Sequence, residues 1–218
     1  VEARNFDIRK TLLKFDNVLN DQRQVIFSQR NNVMNSKNIN TLSDDFLNEI
    51  INVLKETKSK YLAKPNSNEF INQFKSLFGK SFDNTEIQNL INKKDIDFEK
   101  KVKEKFLEKR NERVQLLNED QAKELEKRIF LQVIDQNWKM HIQYLEQLRQ
   151  VIGLRSFGQR DPLVEYKKEA FILFENLLNK LKSDLITFLI NIKIVDSSQN
   201  ENEDDFKERQ NNKFGELS

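Results

Sequence analysis

Residues 148–166 read LRQVIGLRSFGQRDPLVEY, and the fold turns on how this stretch is read. The chain of 218 residues has only four glycines and two prolines, yet Gly153, Gly158 and Pro162 fall within ten positions here. On both sides the pattern is that of long, unbroken helix. Before the break, Phe130, Ile134, Trp138, His141, Leu145, Leu148 and Ile152 recur at steps of three or four. After it, Tyr166, Ala170, Phe174, Leu177, Leu181, Leu185, Phe188 and Ile192 repeat the rhythm. Two matched stripes joined by a short breaker predict an antiparallel helical pair packed face to face. Asp161 is an apt N-cap and Pro162 suits the first helical position, where a missing N–H costs nothing.

Composition carries the same reading to the whole chain. Hydrophobic residues make up 37% and charged residues 33%, with a mean hydropathy of −0.74. Scarce Gly and Pro beside this much charge predict an elongated all-α protein with much solvated helix surface. A net charge of +2 gives no bulk attraction to nucleic acid or anionic membrane. The absence of cysteine excludes disulfides and thiolate metal sites. No apolar run approaches the ~18–20 residues of a membrane span, so any membrane association is expected to be peripheral. Because the chain opens in mid-pattern without methionine, it is expected to be a piece of a longer protein.

Working outward, Leu12, Leu19, Ile26 and Val33 recur at a seven-residue step, with Ile8 and Phe15 between them. That predicts a first long helix with a narrow apolar seam, which Gln22 and Gln29 interrupt too soon for a long coiled coil. Residues 41 to about 120 change character: a helix with Phe46, Ile50, Val53 and Leu54, a loop at Pro65, short amphipathic pieces, and a charged helix up to about 117. The expected organisation is therefore a long scaffold helix over 1–35, an inserted small helical subdomain over 36–125, a projecting hairpin with its return helix over 126–195, and an acidic linker over 196–218. The linker carries seven acidic and three basic residues and few apolar ones.

Catalytic chemistry is not visible. Gly79–Ser81 reads GKS, but a phosphate loop would need glycine at Phe74 and a preceding strand. His141 is the one histidine and sits on the apolar stripe, as does Trp138, so both read as core or interface residues. The carboxylates around Glu99–Glu112 lie three or four positions from Lys or Arg and read as solvated helix pairs. The break is the exception. Arg149, Arg155 and Arg160 surround Phe157, with Gln159 beside them. Either Phe157 folds back to cap the two arms, or the tip presents one ring and a basic collar to a partner. A nucleic-acid-binding hairpin using these arginines on phosphates, and a purely structural adaptor, are the competing readings.

Several blocks resemble a known family. EARNFDIRK at 2–10, LLKFDNVLNDQR at 12–23, FLQVIDQNWKMHI at 130–142 and LRQVIGLRSFGQRDPLVEYKKEAF at 148–171 are similar, in the same order, to the C-terminal half of the SecA family of bacterial preprotein translocase motors. The resemblance implies a helical scaffold over 1–35, a helical wing over 36–125 and a two-helix finger over 126–195. It implies a finger tip that contacts the SecY channel and an unfolded preprotein through Arg149, Arg155, Phe157, Gln159 and Arg160. It further implies that Asn5, Phe6, Asp7, Arg9 and Lys10 contact nucleotide-binding domains of the same parent chain. The implied location is the bacterial cytoplasm and the cytoplasmic face of the inner membrane. ATP and Mg²⁺ would belong to the full-length parent; the expectation for this stretch is no cofactor, no metal and no ATP hydrolysis on its own, since motifs that hold phosphates are missing. The family commonly has tyrosine at the position of Phe157, and Val151 and Gly153 also depart from it. The ring is kept and the hydroxyl is lost.

Overall fold

The computed structural model describes residues 2–63, 68–79, 81–152 and 161–194, with side chains from Leu13 onward. Among the described residues seven helices follow in order: α1 Glu2–Asn35, α2 Ile39–Ala63, α3 Glu69–Phe78, α4 Asn84–Ile91, α5 Asp95–Leu117, α6 Glu119–Ile152 and α7 Pro162–Asn191. No strand occurs among the described residues, in keeping with the all-α reading. The long helices have 34, 34 and 30 residues. At ~1.5 Å per residue each is about 45–50 Å long, which makes them the frame of the molecule.

α6 and α7 are antiparallel, and α1 lies along both, antiparallel to α6 and parallel to α7. Every residue of the first-arm stripe is buried, from Phe130 to Ile152. On α7, Tyr166, Ala170, Leu177, Leu181 and Leu185 are buried as expected, but Phe188 is half exposed and Ile186, Leu189 and Ile190 are buried instead. The reason lies in what surrounds α7. In its first half, Leu163, Tyr166, Ala170 and Leu173 join a cluster with α1 and α6, which one stripe is enough to fill. Its last turns enter the cluster made by α2, α3 and α5, where more than one face is covered. In α1 the described part of the seam is as expected, with Phe15, Ile26 and Val33 buried and Leu19 packed at the edge; the side chains of Ile8 and Leu12 lie outside the described residues.

The small helices close around an aromatic core. Phe70, Phe74, Phe78, Phe82 and Phe98 lie within ring-contact distance of one another, for example Phe74–Phe78 at 5.1 Å and Phe74–Phe82 at 5.3 Å between centroids. Each buried ring contributes roughly 2–3 kcal/mol of transfer free energy, and this compensates for α3 and α4 being too short to be stable alone. α4 is also tied by a capping box: Asp83 Oδ1 accepts from Glu86 N at 2.7 Å, and Asp83 N donates to Glu86 Oε2 at 2.9 Å. Gly79 of the GKS triplet merely caps α3, donating to Lys75 O at 2.9 Å, and Ser81 Oγ donates to Ile190 O at 3.2 Å.

The chain turns from α5 to α6 in a single residue. Asn118 takes φ 68°, the one positive-φ non-glycine residue among those described, and its Oδ1 accepts from Gln121 N at 3.0 Å as a helix cap. α6 thus begins at Glu119 rather than near Glu126, which brings Glu126 back over the end of α5. There Arg110 Nη1 donates to Asp44 Oδ1 at 2.9 Å and Arg110 Nη2 to Ser43 Oγ at 2.8 Å. Glu126 sits between Arg110 at 3.5 Å and Arg113 at 3.8 Å and accepts from Ser43, while Arg113 Nη1 donates to the Leu189 carbonyl. All but Asp44 are buried. The cluster joins α2, α5, α6 and α7 at one point. Around it, α5 carries the expected solvated pairs, among them Lys103–Glu99 at 2.6 Å and Lys109–Glu112 at 2.8 Å.

Removing Glu126 alone takes the ion-pair partner from the buried Arg113 guanidinium and leaves Arg110 with Asp44 only. Glu126→Ala should lower the unfolding free energy by about 3–5 kcal/mol in urea titrations, and Glu126→Gln by less, because the amide still accepts a hydrogen bond.

Candidate functional site

The hairpin's distal end is where the sequence sets arginines and a phenylalanine at a break, between the end of α6 at Ile152 and the start of α7 at Pro162. Asp161 caps α7 as anticipated, its side chain accepting from Leu163 N at 2.9 Å, and Pro162 occupies the first turn. Arg155, Phe157, Gln159 and Arg160 lie outside the described residues. So do the side chains of Asn5, Phe6, Asp7, Arg9 and Lys10, whose backbone forms the opening turns of α1. Of the residues singled out for contact, Arg149 has its side chain described.

Arg149, in the last turn of α6, points at α1. Its Nη1 donates to Asp16 Oδ1 at 3.0 Å, and its guanidinium lies 6.0 Å from the centre of the Phe15 ring. Phe15 meets Tyr166 edge-on at 4.7 Å, which ties the first turns of α7 to the same spot. Burial pushes the Tyr166 hydroxyl above the ordinary phenol value of 10.0. Together with Leu145, Leu148, Ile152 and Ala170, these rings form a small apolar cluster distinct from the main core.

A polar layer separates the two. Gln22 Nε2 donates to the Ala170 carbonyl at 3.1 Å, which leaves Gln22 Oε1 to accept from His141 Nε2 at 2.7 Å. His141 is therefore the Nε2–H tautomer, set between the Trp138 and Phe174 rings at 5.5 and 5.7 Å. Burial drives its pKa from 6.5 down to about 4, so it is neutral at physiological pH. Gln22 read in the sequence as an interruption of the α1 seam. In the fold it is buried and bonded to both arms of the hairpin, a role that only a cross-helix view reveals.

Arg110, Arg113 and Glu126 were also not distinguishable from the solvated charge around them. Arg113 borders a cavity of about 310 Å³ at the end of α7, with Lys109, Glu112, Asn191 and Lys193. Its pKa is lowered by burial, an effect offset by Glu126. Both of its hydrogen-bonding and ionic partners belong to the protein itself, so it acts as a tie between helices. Glu99, held at about 2 by Lys103 and Lys55, is likewise an ion-pair residue and not an acid poised for proton transfer. Among the described residues no helix is long and apolar enough to cross a membrane.

The architecture is a frame of three long helices: a hairpin of α6 and α7 laid along α1, with α2, α3, α4 and α5 packed around the base of the hairpin. Residues 1–193 match the family described as the SecA wing and scaffold domain, and the chain belongs to that family. It is 68% identical over 195 residues to the protein translocase subunit SecA of Pelagibacter ubique, covering 89% of this chain and 23% of that protein. The corresponding subunit of Thermodesulfovibrio yellowstonii is 40% identical over 200 residues, and that of Bartonella bacilliformis 38% over 202 residues. The chain spans 22–23% of the length of these curated relatives.

The polar layer makes stability depend on pH with a defined sign. The folded imidazole has the lower pKa, so the unfolded chain takes up the proton first and acid favours unfolding. The stability held by neutral His141 should be complete above pH 6.5 and decline as pH falls toward about 4. Thermal unfolding followed by circular dichroism across pH 7 to 4.5 should show this slope, and His141→Gln should flatten it.

Proposed function

We propose that this chain forms the scaffold, wing and two-helix finger of a longer Sec-pathway motor, and that it passes nucleotide-driven motion to an unfolded preprotein at the SecY channel. The observation that carries the reading is the hairpin: two arms of 34 and 30 residues, braced by α1 and ending in the break that holds Arg155, Phe157, Gln159 and Arg160. A pair of helices packed along one stripe resists bending, so displacement at its base is delivered at its tip. An exposed ring grips an extended chain through any apolar side chain it meets, and arginines hydrogen-bond to backbone carbonyls of any sequence. That combination suits a substrate class defined by being unfolded and not by its sequence.

Two further parts belong to the proposal. Asn5, Phe6, Asp7, Arg9 and Lys10, in the first turns of α1, seat the nucleotide-binding domains of the same polypeptide. ATP and Mg²⁺ are bound there and not by this chain, whose association with the membrane is peripheral, through the channel. The small net charge and the engagement of Arg149 by Asp16 weigh against nucleic acid as the partner.

In the full-length protein, Phe157→Gly should lower the rate of preprotein translocation at least tenfold, and Phe157→Tyr should leave it within twofold. Translocation at the unaltered rate by the glycine variant would show that the ring does not grip the substrate. A loss with tyrosine would show that the grip depends on more than an aromatic ring.

A further inference from the structure

We propose that Asp16 and Arg149 form a latch that sets the position of the hairpin's distal end against α1, with Phe15 and Tyr166 as its apolar floor. The proposal rests on the reading of the hairpin as the working arm of the motor and assigns Arg149 to positioning, not to contact with the moving chain.

The packing along the hairpin is uneven. The main core covers α6 as far as Trp138 and α7 back to Leu177. Beyond that point the arms meet α1 through two narrow layers. The first is the His141–Gln22–Ala170 hydrogen-bond layer. The second is the cluster of Phe15, Leu145, Leu148, Ile152, Tyr166 and Ala170, with Val18, Leu19, Leu163 and Leu173 at its margin. Apolar clusters are tolerant of small sliding and rotation, because their contacts carry little direction. A hydrogen-bonded ion pair is directional, and Arg149–Asp16 at 3.0 Å is the ion pair that joins the last turn of α6 to α1.

Its position and exposure suit a settable contact. Arg149 lies three residues before the end of α6, so a change in its partner is felt at the tip. The two side chains are 37% and 55% exposed, which makes the pair weak enough to be broken and re-formed in water. The Phe15 ring, 6.0 Å from the guanidinium and 4.7 Å from the Tyr166 ring, makes the pair and the aromatic floor one unit. A charge presented to Asp16 or Arg149 by a neighbouring domain would compete for this contact and release the distal end.

The test uses the full-length protein carrying this chain. Leu13→Cys on α1 and Val164→Cys on α7, both well exposed in a stretch with no cysteine of its own, accept spin labels for distance measurement once any cysteine elsewhere in the full-length protein is replaced by serine. Arg149→Asp and Asp16→Arg, each alone, should at least double the width of the label-to-label distance distribution and lower translocation at least threefold. The double exchange restores the pair with reversed polarity and should return both toward the parent values. Asp16→Asn, the mildest change, should give an intermediate width. Unchanged distributions in the single variants, or a double exchange that recovers nothing, would overturn the latch. Distances that respond and recover while translocation stays constant would leave the latch standing and remove the translocation reading beneath it.

Discussion

The fold depends on one buried carboxylate. Glu126 lies between the guanidinium groups of Arg110 and Arg113, and the same cluster draws in Ser43 of α2 and the Leu189 carbonyl of α7. An unpaired charge at this depth costs about 3–5 kcal/mol, so the four helices come together in an arrangement that gives each of these charges an opposite partner. Apolar packing around it supplies the bulk of the stabilisation and would tolerate many registers. The charge cluster excludes most of them. It also explains the sharp corner at Asn118, since a longer turn would carry Glu126 away from the end of α5.

From that point the molecule has a stiff end and a lightly held end. Toward the wing, α7 is covered on several faces and the phenylalanines of α3 close the core. Toward the tip, cover thins to a single polar layer and a six-residue cluster against α1. Among the described residues, the base of the hairpin is thus covered more broadly than its distal part, which is the gradient the proposed lever would use. The neutral histidine fits the same scheme. Held between Gln22 and two rings, it spaces the three long helices without adding a charge that would need its own partner.

Much of this was legible in the residue order. The hairpin, its cap at Asp161 and Pro162, the seam of α1 and the end of that helix at Asn35 all follow from periodicity and capping preference, which act between residues a few positions apart. What escaped were residues whose partners are remote in sequence. Gln22 and Ala170 are 148 positions apart, and Arg110 and Asp44 are 66 apart. Nothing nearby marks Arg110 and Arg113 as different from the lysines of the same helix, because burial of a charge is decided by what folds over it. Phe188 failed in the opposite sense: it keeps the stripe's rhythm, yet the neighbours of α7 change along its length and leave it half exposed.

By itself the sequence determined that the chain is helical, where its three long helices run, and that the break at 153–162 turns α6 back on α7, because these follow from local backbone preference and the 3.6-residue period. Only the tertiary structure decided which polar residues are buried and what holds them. Arg149 shows the difference most plainly. As a residue beside a break it reads as one more exposed cation, and in the fold it is bonded to Asp16, 133 positions away, since a side chain's partner is set by the path of the whole chain.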